Sequence, residues 1–442
     1  MDGGTGMTEL PSQFLKRMEN QLGKEMRDFL HAMECPPVRG IRMNPLKPFD
    51  GMEHYTDGER IPWTSDGYYL PVQSKAGATV FHEAGAFYLQ EPAAMLPGEV
   101  MDVQPGERIL DLCAAPGGKS TQMGLKLKGE GWIVSNEPVY KRAQILSRNM
   151  ERMGIPNSIV TCSYPSDLPP SWNELFNGVL ADVPCSGEGM FRRDPLTRAE
   201  WSAEKTEGCV KRQREILNNA ARFVMPGGRL IYSTCTYHPD ENEGMVEWFL
   251  KTHPEFSTES FSLPGASGKT GMLLCLPHRM KGEGQFVARL RKKGIPSHPD
   301  IGNPFERIPQ KDTALLTGSI PGIQMPDRKI GNAFLRLPEC PEVRGIQVLR
   351  AGLKIAETNG RKITPDHAAA LSFNIPSVQS LELNPDEVRK YLAGQEICRD
   401  GTGWLLLRYR GLAIGWGKGS DGRIRNHYPK GLRKENILTE AE

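Results

Sequence analysis

The chain lacks most of the features that would place a protein quickly. No apolar run approaches the roughly eighteen residues that a membrane span needs, and the amino terminus shows no basic stretch leading into an apolar core. Neither an internal repeat nor a low-complexity tract interrupts it, so the chain reads as a series of folded domains. An excess of one charge is also missing: 55 Lys and Arg face 53 Asp and Glu, for a net charge of +2. That excludes a wholly basic coat and leaves only local basic runs. The nine cysteines are odd in number and irregularly spaced, unlike a disulfide framework, and read as reduced thiols of the cytosol. The expectation is a soluble, cytoplasmic, monomeric protein with no metal and no membrane. Its 442 residues are enough for two or three domains.

Periodicity divides the chain. Phe14, Met18, Leu22, Met26 and Phe29 recur at three- and four-residue steps, as one face of a helix over 11–30 should. Short segments broken by Pro and Gly follow to residue 71. From Gly106 the pattern becomes strand, loop and helix in alternation. Strands are predicted at 108–112, 132–136, 178–182 and 229–234. One helical stripe is Val139, Ala143, Leu146, Met150 and Met153, ended by Gly154; another is Val210, Leu217, Ala221 and Val224, before a Pro226-Gly227-Gly228 turn. Such alternation implies a mostly parallel sheet covered on both faces. A Pro- and Gly-rich stretch reads as a linker. Beyond it, 404–409 and 412–416 alternate as two strands around Arg410-Gly411. The expected domains are 1–75 (α+β), 76–293 (catalytic α/β), a 294–322 linker, and a β-rich 323–442.

The first predicted catalytic strand runs into Cys113, Ala114, Ala115, Pro116, Gly117, Gly118 and Lys119 before a helix. Glycines let the backbone approach a ligand closely, and the helix start offers free N–H groups. Glu137, twenty residues past Gly117, ends the next strand, where doubly wound folds place an acid that binds ribose hydroxyls. A phosphate-binding loop of the Walker type would need Gly six residues before Lys119, and that position holds Cys113. The glycine spacing of a dinucleotide fingerprint is also unmet. S-adenosyl-L-methionine, whose sulfonium carries no phosphate, fits better.

Two cysteines end predicted strands in reactive surroundings: Asp182-Val183-Pro184-Cys185-Ser186-Gly187 and Ser233-Thr234-Cys235-Thr236. A thiol pair beside such a cofactor loop points to covalent chemistry on an electron-poor ring. Cytosine is one: thiolate addition to C6 makes C5 carbanion-like, so that it can take a methyl group from a sulfonium. An acid near N3 would stabilise the developing charge, and a base must later remove the C5 proton. Asp182, Cys185 and Cys235 all lie at carboxyl ends of predicted strands, where open α/β sheets bind ligands.

On these residues the chain resembles the bacterial RsmF-type members of the Nop/Sun family of RNA 5-methylcytosine methyltransferases, over most of its length. The resemblance covers the 113–119 motif, Asn136-Glu137, Arg142-Ala143, the segment from Asp182 through Asp194-Pro195, and Tyr232-Ser233-Thr234-Cys235-Thr236. It also covers 85–91, with Gln90-Glu91, and Gly282-Glu283-Gly284. It implies a Rossmann-like methyltransferase sheet with a small N-terminal α+β domain and a C-terminal PUA-like RNA-binding domain. It further implies that Cys235 attacks C6, that Cys185 assists product release, and that Asp182 contacts the base near the methionine part of the cofactor. Residues 113–119 and Glu137 would hold S-adenosyl-L-methionine, with Arg142 nearby. DNA cytosine methyltransferases instead use the Pro-Cys thiol as nucleophile, which here would be Cys185. Three positions depart from the family pattern. The Asp common at the end of the third strand is missing from Thr161-Cys162-Ser163, leaving Ser163, a backbone group or the later Asp167; Gln285 stands where an aromatic is common, and Val183 where Ala is common.

Two basic patches could meet RNA. Arg289, Arg291, Lys292 and Lys293 close the catalytic region, and Lys418, Arg423, Arg425, Lys430, Arg433 and Lys434 cluster near the carboxy terminus among Trp416, His427 and Tyr428. The second lies in a segment that resembles the C-terminal domain of RsmF-type enzymes. The leading expectation is a cytosine-C5 methyltransferase of 16S ribosomal RNA, with ribosomal RNA or the small subunit as partner. A tRNA or multi-site RNA enzyme and a nucleotide-dependent RNA assembly factor are the alternatives.

Overall fold

The computed structural model describes residues 10–440 apart from 338, 361, 375 and 376. Its centre is a nine-stranded sheet: β1 (Arg108–Asp111), β2 (Trp132–Asn136), β3 (Ser158–Cys162), β4 (Phe176–Asp182), β5 (Val224–Thr234), β6 (Phe256–Thr258), β7 (Met272–Cys275), β8 (Gln285–Lys292) and β9 (Gln347–Ala351). The order is β7-β8-β5-β4-β1-β2-β3-β9, with β6 paired to β8. Strands β3, β2, β1, β4 and β5 run parallel, whereas β7, β8 and β9 add antiparallel edges. The chain proceeds from β1 outward to β2 and β3, then returns to the other side of β1 at β4. That reversal opens a crevice at the carboxyl ends of the central strands.

Side-chain alternation along the strands builds two cores. Leu110, Val134, Ile159, Val179 and Leu230 join Ile216, Leu217, Val246 and Phe249 on one face. Their neighbours Ile109, Ile133, Val160, Leu180 and Ile231 join Met123, Leu146 and Met150 on the other. Each strand is therefore a continuous apolar run, as a sheet buried on both faces requires.

Several expected elements shift. The 11–30 stripe forms two helices, Ser12–Leu22 and Met26–Glu34, because Gly23 takes φ 52° and breaks the ladder. Phe14, Met18, Phe29 and Met33 still share one face, which docks on Phe191 and Tyr237 beside the two thiol loops. Val139 precedes its helix and is 50% exposed rather than part of the buried stripe. Val224 opens β5, whose start contains the Pro226-Gly227-Gly228 segment as an irregular stretch.

Strands Gly67–Leu70, Arg39–Met43 and Phe87–Leu89 form an antiparallel N-terminal sheet. A four-stranded C-terminal sheet contains Gly403–Tyr409 and Leu412–Ser420, joined by Arg410 and Gly411 at positive φ, as a tight hairpin demands. The two modules share one apolar core, in which Ile41, Phe81 and Phe87 meet Leu405, Leu407 and Leu412. Lys434 also pairs with Glu83 across the same seam, at 2.5 Å. Burial alone would raise the Glu83 carboxyl, but hydrogen bonds from His82 and Lys434 outweigh it and hold the group at about 2. A helix at Gln310–Ser319 lies within the stretch read as a linker, and β9 extends the catalytic sheet from the C-terminal region. Among the described residues no helix is long and apolar enough to cross a membrane.

Candidate active site

The crevice holds a cavity of about 910 Å³. Cys113, Ala115, Glu137, Arg142, Asp182, Cys185 and Cys235 line it, so seven of the residues expected from the sequence converge there from four strand ends. Ala114, Pro116, Gly118 and Lys119 line a smaller cavity of about 200 Å³ on the other side of the loop, with Asp182 bordering both. Gly117 makes the turn itself. Its φ of 113° is a conformation that side-chain-bearing residues rarely adopt, and an added Cβ would lie 3.2 Å from Leu146.

Glu137 is buried at the β2 end and accepts the Val139 backbone N–H at 3.0 Å. Arg142 reaches its other oxygen at 3.3 Å and donates to the Ala115 carbonyl at 3.0 Å, tying the acid to the glycine loop. Beyond Glu137 the cavity wall continues through Pro138, Val139 and Tyr164, an apolar lining suited to a flat ring. Of the candidates for the absent third-strand acid, neither Ser163 nor Asp167 lines the cavity. Ser166 does, while Asp167 accepts the Ser166 hydroxyl at 3.0 Å.

Asp182 is fixed at both oxygens. Lys119 Nζ donates at 2.8 Å, and Ser233 Oγ donates to the other oxygen at 2.9 Å. Gln285, the departure from the family's aromatic, donates to Ser233 Oγ at 2.5 Å and so steadies the same acid. Burial opposes the Lys119 charge, but Asp182, helped by Cys235, holds it above its ordinary value. The loop also covers Asp111, which accepts Ser120 Oγ at 2.6 Å through one oxygen. Burial pushes the Asp111 carboxyl up to about 7, against the Ser120 hydroxyl and the Cys113 backbone N–H, which favour its charge.

The two thiols face each other, Sγ to Sγ at 3.2 Å, both free. The Cys235 backbone N–H donates to Cys185 Sγ at 3.3 Å. The hydrogen bond to Cys235, then burial, push the Cys185 thiol well above its ordinary range. Either sulfur can donate in the hydrogen bond between them. Cys113, the third thiol on the wall, is also pushed well up, by burial and then by Asp111, Asp182 and Glu137.

What sets the thiol spacing is a buried polar clamp that sequence reasoning missed. Glu241 accepts the Ser186 N–H at 3.0 Å and its hydroxyl at 2.5 Å, and Ser186 Oγ also meets Thr236 Oγ1 at 2.7 Å. Gln213 donates to Glu241 at 2.8 Å and to the Pro184 carbonyl at 3.0 Å. Both neighbours of Cys185 and the residue after Cys235 are thus tied to one carboxylate, Ser186 directly, Pro184 through Gln213 and Thr236 through Ser186. The loops are also sewn by backbone: Gly189 donates to the Cys235 carbonyl at 2.9 Å, and Gly284 to that of Gly189 at 3.2 Å. A Cβ on Gly189 would fall 2.5 Å from the Gly284 carbonyl oxygen, so the approach requires glycine. Replacing Glu241 by alanine strands the Ser186 N–H, a loss of about 1–3 kcal/mol. Thermal melting should report that loss, accompanied by reduced turnover as the thiols separate.

The basic patches fare differently. Arg289 and Arg291 pair with Glu259, and Lys292 pairs with Glu174 and the Val224 carbonyl. These charges close the sheet edge and do not form a free surface. Lys418, Arg423, Arg425, Lys430 and Arg433 are exposed, as a binding face needs, but none lines the catalytic cavity. Trp416 and Tyr428 are core residues: the indole N–H donates to the Asp366 carbonyl, and Tyr428 packs edge-on against His367 and Tyr391. The aromatics beside the patch are His427 and Trp404, with Lys418 Nζ 5.2 Å from the Trp404 ring centre.

Comparison with known proteins agrees with this architecture. The family described as 16S rRNA methyltransferase RsmB/F matches residues 99–291, the N-terminal domain of 16S rRNA methyltransferase RsmF matches 10–92, and the methyltransferase RsmF PUA domain matches 378–434. Ribosomal RNA small subunit methyltransferase F of Shigella boydii serotype 4 (strain Sb227) is 30% identical over 466 residues, spanning 97% of each chain. The protein of that name from Escherichia coli (strain K12) is 31% identical over 468 residues, again with 97% of each chain covered. The crystal structure of a methyltransferase homolog protein from Pyrococcus horikoshii superposes with a TM-score of 0.55 at 25% identity, covering 64% of this chain and 95% of that one. With the RsmF-type N-terminal, catalytic and PUA segments in order along one chain, the protein belongs to the RsmF family of 16S rRNA methyltransferases.

Proposed function

We propose that the protein transfers a methyl group from S-adenosyl-L-methionine to C5 of a cytosine in small-subunit ribosomal RNA, through a covalent bond between Cys235 and C6. The observation that carries this reading is the pair of free thiols 3.2 Å apart on the wall of the cavity that Glu137 and the 113–119 loop also line. The names of the relatives support the RNA class. The residues present fit the cofactor: Glu137 suits ribose hydroxyls, the Pro138, Val139 and Tyr164 wall suits adenine, and Asp182 suits an ammonium group. When bound, the cofactor supplies an electrophilic methyl on sulfur.

The chain's own residues do the rest. Asp182, held by Lys119 at one oxygen and Ser233 at the other, accepts from the exocyclic amine of cytosine and orients the ring for attack. Cys235 thiolate adds to C6 and breaks the aromaticity of the ring, and C5 becomes nucleophilic. Once Cys235 is bound as a thioether, Cys185 is the free thiol beside it and, its own proton given up to solvent, serves as the base. It then takes the C5 proton, the Cys235–C6 bond breaks, and the aromatic ring is restored. One net proton passes to solvent for each methyl group transferred.

Equilibrium binding separates this from a nucleotide-dependent assembly factor. Titration calorimetry should give saturable binding of S-adenosyl-L-methionine and none of ATP; the reverse result overturns the proposal. Glu137→Ala should weaken cofactor binding by about 10- to 100-fold, the worth of hydrogen bonds to a charged acceptor. Its turnover at saturating cofactor should stay near that of the wild type.

A further inference from the structure

The helix Ala203–Phe223 stands between the catalytic cavity and a second concavity of about 500 Å³. Arg17 of the N-terminal helix, Trp201 and His238 form the far side of that concavity. Lys211 and Arg214 face it from the helix, whereas Arg212 faces the catalytic cavity. All three cations are exposed, and among the described residues none of them forms an ion pair. Gln213, in the middle of the run, points the other way and holds the Pro184 carbonyl and Glu241. One turn of helix therefore presents three positive charges outward and grips the Cys185 loop inward.

The geometry points to an RNA track over this turn: the backbone crosses the helix at Lys211, Arg212 and Arg214, the target nucleotide drops into the catalytic cavity, and a neighbouring nucleotide occupies the second concavity. This rests on the RNA methyltransferase reading above and adds a route for the strand. Three features support it. The concavity is of the size that takes a small organic ligand. It offers an indole and an imidazole, ring types on which unpaired bases stack. Its floor is continuous with the thiol loops, because Trp201 Nε1 and Arg17 both donate to Glu188, three residues past Cys185. Glu207 and Asp240 also line it, so the attraction for phosphate is concentrated on the helix turn and the concavity itself is left for a base.

The test is steady-state methylation of unmethylated 16S rRNA, presented both naked and in the small subunit, by the full-length Lys211→Ala/Arg214→Ala variant. The expected result is a KM for RNA raised about 10-fold, with turnover at saturating RNA and affinity for S-adenosyl-L-methionine unchanged; loss of the Arg214 guanidinium from over the Trp248 ring, 5.2 Å from its centre, costs only stability. The salt dependence of RNA affinity should flatten by about 1.4 in log–log slope, since each phosphate contact to a single strand releases about 0.7 of a counterion. Lys211→Arg/Arg214→Lys should restore the wild-type KM. A KM within twofold of wild type, or a raised KM that the charge-preserving variant does not restore, overturns the track. If the wild-type protein methylates neither substrate, the functional reading itself fails, which is a separate outcome.

Discussion

Cys235→Ser should abolish methyl transfer and leave cofactor binding intact. Loss of a covalent nucleophile that works as part of a unit costs ~10⁴- to 10⁶-fold in turnover, because a serine hydroxyl is far less acidic and far less nucleophilic than a thiol. The substitution is nearly isosteric, and the loop does not depend on the sulfur: the Cys235 carbonyl is held by the Gly189 N–H, and neighbouring Thr236 by Ser186. Methyl incorporation into RNA should fall to background while calorimetric affinity for S-adenosyl-L-methionine stays within twofold of wild type. Retained turnover in this variant, with its loss in Cys185→Ser, would reverse the roles of the two thiols.

Cys185→Ala should give the opposite phenotype: the first half-reaction proceeds and the second stalls. Attack at C6 needs Cys235, and methyl transfer needs the cofactor, but release needs a base within reach of C5. In the proposed mechanism that base is Cys185, whose sulfur sits 3.2 Å from that of Cys235. Without it the methylated RNA stays bonded to the protein. A denaturing gel should show a shifted band that forms with RNA and cofactor together, at up to one methyl group per protein. Multiple turnover should fall by at least ~10²-fold, the lower range for a positioned acid or base.

Much of this site was legible because its parts follow from local rules. Residues 113–119 join a buried strand to a helix start, Glu137 ends the next strand, and Asp182 and Cys235 end two more; a parallel sheet gathers such ends at one edge. The C-terminal hairpin was likewise marked by Arg410-Gly411. The clamp was not legible, because Glu241 meets Ser186 and Gln213 only after the chain has crossed the sheet between them. Nothing local distinguishes Glu241 from a helix-start acid on the surface. The basic run at 289–293 misled for the same reason: Glu259 and Glu174, which neutralise Arg289, Arg291 and Lys292, come from other elements, and only Lys293 stays exposed. Trp416 misled because Leu412–Ser420 is buried on both faces, so alternation did not mark it as core. Gly23, by contrast, was a visible break inside a periodic stripe, and its positive φ is what divides that helix.

Two thiols hydrogen-bonded at 3.2 Å divide the labour of the proposed reaction, and locating the covalent bond tests that division most directly. The Cys185→Ala protein is incubated with unmethylated small-subunit RNA and S-adenosyl-L-methionine, denatured, and digested with nuclease and protease. Tandem mass spectrometry then assigns the modified residue. The account predicts a methylated cytidine adduct on Cys235. An adduct on any other residue, or none while the variant continues to turn over, would contradict it.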